Sequence, residues 1–409
     1  MSDAPRKPLR DIFLSLKYRD FSLVWVGMLG WSGAMWMENI ARNWLVWKLT
    51  GSALDIGLTN LVRSLPQVFL ALPAGLAADR FNKKVVLLCC QIVSFAGYLG
   101  MFLLVVSGRV EIWHVYVAAG VMGCSMAFNQ PARQSLVPRL VPSHLLLNAM
   151  GLNHVATNST RVLGPALGGL LIWKDGGDVR FAYAAAATIF LLVVVTTLLL
   201  RGSEGRSLIT GGAKKQLLEG ISYVIHSRNI LSLILTSLVV FTFAMPYNTL
   251  LPVISDTVFG IGPGGYGLLL SAAGFGALSG GLAVASMGDV KRKGWLLVGG
   301  GVLFGSLLIV LGSVPWVGLA FVVMVLIGAS QSLFMTSGNT LILKITPVPL
   351  QGRVMSAYHL DHALMPLGSA LAGFIADAAG ASSALILMGS ICLILIFVIS
   401  LIMPQARRL

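Results

Sequence analysis

Gly164-Pro-Ala-Leu-Gly-Gly169 recurs 204 residues further on as Gly368-Ser-Ala-Leu-Ala-Gly373. A second pair keeps the same order: Asp79-Arg-Phe-Asn-Lys-Lys84 corresponds to Asp289-Val-Lys-Arg-Lys293. Small residues at this spacing let helices approach closely, so the recurrence reads as one helical unit used twice. The surroundings say where those helices sit. Of 409 residues, 56% are hydrophobic and 11% charged, with a mean hydropathy of +0.85, far more apolar surface than a soluble core of this size could hide. About twelve apolar runs are long enough to cross a bilayer. They fall near residues 20–47, 53–78, 84–107, 112–137, 145–173, 181–200, 229–251, 264–287, 295–313, 316–342, 353–377 and 382–403. The first glycine motif lies in the fifth run and its copy in the eleventh, which is the register of two parallel six-helix repeats.

The net charge of +14 is distributed for a membrane rather than for nucleic acid. Arg6, Lys7, Arg10, Lys17, Arg19, Arg80, Lys83, Lys84, Arg201, Arg206, Lys214, Lys215, Arg228, Lys291, Arg292, Lys293, Arg407 and Arg408 crowd one side of the spans, against Lys48, Arg109, Lys174 and Arg180 on the other. This asymmetry predicts that both termini are cytoplasmic. Trp44, Trp47, Trp113, Trp173 and Trp316 are expected at the outer interface. The polar stretch before the first span lacks the apolar core of a cleavable signal. Residues 1–200 are read as a first six-helix bundle and 229–409 as a second. Between them, 201–228 reads as a cytoplasmic linker with an amphipathic helix, because Leu217, Leu218, Ile221, Val224 and Ile225 share one helical face. Cys89, Cys90, Cys124 and Cys392 lack metal-ligand spacing and read as packing residues.

Ionisable residues inside the spans carry the chemistry. A charge in hydrocarbon costs several kcal/mol unless it pairs or faces water, so Glu38, Arg63, Arg161 and Asp361 point to a substrate or ion path. Counting inward from the helix ends puts Glu38 and Arg63 at roughly the same 15 Å depth, where they can pair. Arg42 lies one turn from Glu38 on the same face. Arg161 approaches mid-membrane on a tilted fifth helix, and Asp361 is flanked by His359 and His362. Glu38 and Asp361 are the proton-coupling candidates; Arg42, Arg63 and Arg161 would face an anionic group or the emptied acid. Asn39, Asn60, Asn129, His154, Asn158, Tyr247, Asn248 and His359 complete the candidate cavity lining, alongside the Met- and Trp-rich first helix, which suits an amphipathic solute. The competing reading makes Glu38 and Arg63 a permanent strut between helices. No nucleophile paired with a base, no metal pair and no phosphate-binding loop emerges, so an enzyme is not expected and no cofactor is implied.

Gly75-Leu-Ala-Ala-Asp79-Arg80-Phe-Asn-Lys83-Lys84 resembles the cytoplasmic signature of the major facilitator superfamily, with Asn82 where glycine is usual. The resemblance covers essentially the whole chain and implies an all-α integral membrane protein with twelve transmembrane helices in two pseudo-symmetric six-helix bundles. It implies that Asp79 caps helix eleven, near Gly352 and Arg353, when the cytoplasmic side shuts. Gly75, Asp79, Arg80, Lys83, Lys84 and Arg353 are therefore expected at a conformational gate, together with Gly164, Pro165, Gly168 and Gly169 of the fifth helix. Gly151, Gly164, Pro165, Gly168 and Gly169 resemble the helix-five signature of the superfamily's exporters, with Thr160 replacing one glycine. The arginine usual in helix four of drug/proton antiporters is replaced by Ala119, four residues before Gly123. Asn129-Gln-Pro-Ala-Arg133, Leu147-Asn-Ala149 and Gly352-Arg-Val-Met-Ser356 are most similar to the exporter branch that includes the enterobactin exporter. The expected function is alternating-access, proton-coupled export of an amphipathic small molecule by a monomer in the bacterial inner membrane. Uptake by symport and a non-transporting receptor on the same fold are the alternatives.

Overall fold

The computed structural model describes residues 9–201, 223–287, 293–358 and 364–403, and among them secondary structure is entirely helical. The first half comprises α1 (Arg19–Thr50), α2 (Ala53–Phe69), α3 (Ala71–Arg80), α4 (Lys83–Val106), α5 (Ile112–Leu136), α6 (Leu146–Lys174) and α7 (Arg180–Leu198). The second comprises α8 (Arg228–Val239), α9 (Tyr247–Thr257), α10 (Gly262–Ser286), α11 (Lys293–Ser313), α12 (Val317–Ile345), α13 (Gln351–Tyr358), α14 (Met365–Ala379) and α15 (Ala381–Ile402). Of the linker's amphipathic stretch, residues 223–226 are described and are helical; the rest lies outside the described residues.

Local chemistry sets the helix ends. Gly51 ends α1 with φ +63°, a left-handed conformation that favours glycine. Ser52 then caps α2, its side chain accepting from the Asp55 N–H. The Asn82 side chain accepts from the Lys84 N–H at 3.0 Å and starts α4, which explains why a cap-forming residue stands where the related signature has glycine. Two of the expected spans are interrupted within the described residues. The second breaks at Leu70, four residues after Pro66, which cannot donate to the helical ladder. The seventh passes through a π-turn at Val240–Ala244 before Pro246. The eleventh is described as α13 and α14, with 359–363 between them outside the described residues.

Packing repeats with the sequence. In the first half α1 packs on α6 and α7, α4 on α5 and α7, and α2 on α5; in the second α11 packs on α12 and α15, and α10 on α12. Advancing the first-half pairs α4–α5, α4–α7 and α2–α5 by six spans yields the second-half pairs, so both halves bury their apolar faces in one pattern. The two most extensive contacts between the halves are α6 with α10 and α2 with α14, and the same exchange relates them. The duplicated glycines sit at these joints. Gly164 packs on Trp36 of α1, and its counterpart Gly368 packs on Thr242 and Pro246 of the seventh span. Gly169 meets Gly267 and Pro263 of α10, and its counterpart Gly373 meets the backbone of Ala53 and Leu54 in α2. One glycine of each motif thus faces its own half and the other faces the opposite half.

Large apolar side chains within the spans, such as Leu192, Phe275, Phe374 and Phe397, stand exposed, as lipid-facing residues do. Among the described residues, seven helical spans are long and apolar enough to cross a membrane by length and composition. α1, α5 and α6 are not among them, and they carry the buried polar groups of the site. Trp113, Trp173 and Trp316 are exposed at helix ends, whereas Trp44 is buried and donates to the Gly177 carbonyl and Trp47 donates to Asp256. The latter two tryptophans are ties rather than interface anchors. Cys90 and Cys392 are buried packing residues, while Cys89 and Cys124 are exposed.

Candidate functional site

Glu38 and Arg42 are one turn apart on α1, and the break-prone α2 brings Arg63 against Glu38. Glu38 is 3% exposed; its Oε1 accepts from Arg42 Nε at 2.9 Å and its Oε2 from Arg63 Nη1. Gly123 makes this placement possible, because the Arg63 carbonyl rests on it and a side chain there would strike the backbone. Arg42, 1% exposed, also donates through Nη1 to Asn60 at 3.0 Å, while its Nη2 is buried without a partner. Asn60 in turn donates to Thr249 of the second half. One carboxylate is therefore shared by two guanidinium groups, and the cluster carries an excess positive charge when all three are ionised. Such an arrangement is held only while every charge keeps its partners.

A cavity of about 220 Å³ opens beside this cluster between the halves. Trp36, Asn39, Arg42 and Arg63 line it from one side, and Asn248, Thr249 and Met365 from the other. Polar groups and soft apolar surfaces thus share one chamber, which can hold an amphipathic solute. A larger apolar groove, about 470 Å³, lies on the lateral surface between α6 and α10 near Trp173 and Leu268. It has no ionisable lining residue, so the smaller cavity is the candidate site.

The remaining expected residues divide among several places. Asn129 and His154 line a separate cavity inside the first half. Asn158 donates to the His154 carbonyl at 2.9 Å. Tyr247 is buried with its ring edge-on to Phe304 at 5.8 Å. Arg161 crosses to the second half, where its Nη2 donates to Gln331 Oε1. Asp361 and His359 lie outside the described residues. At the expected gate, Gly75 lies in α3 and Arg353 in α13, with Asp79 and Arg80 in the last turn of α3; the side chains of Asp79 and Arg80 are outside the described set. Lys83 is buried, and Lys84 donates to the Leu198 and Leu200 carbonyls at the end of α7, a cation at a helix C-terminus. Lys84 here ties two helices of its own half.

Sequence reasoning passed over three features. Gln331, the partner of Arg161, carried no charge to flag it. Arg133 closes the Asn129–Arg133 motif and Trp31 belongs to the Met- and Trp-rich first helix, yet their meeting was not foreseen: the Arg133 guanidinium stacks 5.3 Å from the Trp31 ring. Asp377 of α14 caps α2 in the opposite half, accepting from Ser52 Oγ at 2.6 Å and from the Ala53 and Leu54 N–H groups at 2.7 and 3.2 Å. The signal for that cap was available: if Asp79 of the second span caps the eleventh at one end, the duplicated architecture places an acid of the eleventh over the start of the second at the other. With the Trp47 to Asp256 bond, the Asn43 to Tyr266 bond and the glycine joints, it closes the end of the molecule opposite the basic loops.

The chain is similar along its length to known efflux proteins. It is 26% identical to the multidrug efflux pump Tap of Mycolicibacterium fortuitum over 90% of this chain and 92% of that protein. It is 25% identical to macrolide efflux protein A of Streptococcus pyogenes over 88% and 89% of the two chains. To the staphyloferrin A transporter of Staphylococcus aureus it is 24% identical, over 88% and 91%. The fold is shared with a bacterial homologue of the lysosomal transporter Spinster, with a TM-score of 0.76 at 15% identity over 96% and 98% of the chains. Residues 12–407 match the family described as transmembrane secretion effectors, so this multi-pass membrane transporter, not an enzyme, belongs to that family of the major facilitator superfamily.

Proposed function

We propose that the protein exports an amphipathic small molecule from the cytoplasm by proton-coupled alternating access, with Glu38 as the coupling carboxylate. The observation that carries this reading is the single buried acid held by two arginines on the wall of a cavity shared by both halves. Such an acid is poised between pairing and release. Proton binding at Glu38 would free Arg42 and Arg63, and a solute or water would then compete for them. The relatives named for efflux support the outward direction. The closed end with Asp377 is read as the outside and the basic end as the cytoplasm, in accordance with the basic-loop asymmetry. Residues 1–200 and 229–409 then act as rocking bundles joined by a cytoplasmic linker at 201–228, in a monomer of the bacterial cytoplasmic membrane with both termini inside. The expected lining residues Asn248 and Arg63 contact the solute, and Asp361 is the second candidate acid.

Inside-out membrane vesicles test the proposal. With a proton gradient that acidifies the lumen, vesicles carrying the protein are expected to accumulate a macrolide above the external level, and a protonophore is expected to abolish the accumulation. Accumulation that survives the protonophore, or that appears only in right-side-out vesicles, refutes proton-driven export.

A further inference from the structure

Arg133 lies in the last turn of α5 and is 6% exposed. Its Nε reaches Asn129 Oδ1 only at 3.4 Å, its Nη2 is buried without a partner, and among the described residues no carboxylate pairs with it. This differs from Arg42 and Arg63, which share Glu38. A guanidinium withdrawn from water without a counter-ion is unfavourable, and the compensations visible are the long Asn129 bond and the face of Trp31 at 5.3 Å. The group borders a cavity of about 230 Å³ built by the first half alone, from α1, α5 and α6. Gln130 and Asn153 add polar groups to its wall, Asn153 Oδ1 being likewise buried and unpartnered, while Met28, Trp31 and Met150 supply apolar surface.

We infer that this cavity is a binding subsite for the anionic group of an amphipathic molecule, a carboxylate or phosphate joined to an apolar body. Arg133 forms the charge-assisted bonds, Trp31 supports its guanidinium plane, and the methionines take the adjoining apolar part. Trp31 precedes Glu38 by seven residues on α1, so the subsite lies roughly 10 Å nearer the basic end than the Glu38 cluster. A molecule entering from that end meets Arg133 before it meets Arg63. The order of encounter rests on the export reading; the binding chemistry does not.

The test uses the full-length protein in phosphatidylcholine nanodiscs, with radiolabelled 2-naphthoate and its neutral analogue 2-naphthamide measured by equilibrium dialysis. The native protein is expected to bind the naphthoate more tightly. Arg133→Gln is expected to weaken naphthoate binding about tenfold or more, the loss of a charged hydrogen-bonded contact, and to leave naphthamide binding unchanged. Arg133→Lys should retain part of the preference. Equal binding of the two probes by the native protein, or unaltered naphthoate binding by folded Arg133→Gln, overturns the proposal. A second variant guards against a folding defect. With the 4 native cysteines replaced by serine, a thiol reagent should modify His154→Cys, and naphthoate but not naphthamide should protect it. Absence of that protection also overturns the site. Exchanging phosphatidylcholine for phosphatidylglycerol separates the sources: competition by the anionic lipid at Arg133 identifies a headgroup as occupant, and undiminished naphthoate binding identifies a solute. Because binding is read without transport, failure of the vesicle experiment and failure here are distinguishable.

Discussion

At the scale of single residues, Glu38 holds two guanidinium groups at the centre of the molecule. Removing its carboxylate as Glu38→Ala leaves two buried guanidinium groups without their shared partner, a defect worth roughly 3–5 kcal/mol and expected to lower the thermal midpoint of the purified protein. Glu38→Gln keeps the shape and an oxygen acceptor, so folding should be largely retained. In vesicles that variant is expected to lose uphill accumulation while still exchanging solute across a membrane without a pH gradient. Uphill transport at the native level by Glu38→Gln would reduce the cluster to a strut and transfer the coupling role to Asp361. The pairing itself was legible in the sequence, since residues four apart share a helical face and equal depths bring α1 and α2 side chains together. The partner of Arg161 was not, because Gln331 is uncharged and 170 residues distant.

At the scale of elements, the duplicated glycine motif is a joint rather than a general packing stripe. Gly373 is pressed against the Ala53 carbonyl and Leu54 Cα, backbone atoms that cannot rotate aside. Gly373→Leu is therefore expected to separate α14 from α2 at the closed end, and Gly169→Leu to separate α6 from α10. Spin labels placed near the ends of α2 and α14 should report a longer, broader distance distribution in Gly373→Leu than in the native protein. A native distribution would show that the helices accommodate the side chain by sliding, and the joint would lose its assigned importance. The interruption of the second span at Leu70 belongs to this scale too. Pro66 marks it in the sequence, but the position at which the ladder resumes depends on how α3 settles against α5.

For the molecule as a whole, Asp377 ties the two halves together at one end. Its carboxylate accepts from three donors of the opposite half, and two of these are backbone N–H groups at the first turn of α2, where a negative charge is favoured. Asp377→Ala removes those bonds only in the closed state, so it is expected to shift the population toward opening at that end. A cysteine introduced near the central cavity should then react faster with a membrane-impermeant thiol reagent added outside intact cells. Unchanged reactivity in a folded variant would mean that the glycine joints hold the end shut without the cap. Asp79→Ala is expected to act in the opposite sense through the other end, and the two substitutions together should partly cancel.

The sequence alone determined that the chain is a membrane-embedded, all-helical, duplicated protein, because hydropathy, helical length and internal recurrence are properties of neighbouring residues and of the solvent they must face. It also marked Glu38, Arg42 and Arg63, since ionisable groups are conspicuous in an apolar span. Only the tertiary structure decided which groups meet across the halves and which remain alone. One residue along a helix changes direction by about 100° and height by about 1.5 Å, so a small error in helix rotation or axial position redirects a side chain completely. Asp377 and Ser52, 325 residues apart, become partners through the packing of α14 on α2. Among the described residues Arg133 is left without a carboxylate by the same kind of placement, for no local pattern specifies that the helices around it bring aromatic and amide groups instead of an acid.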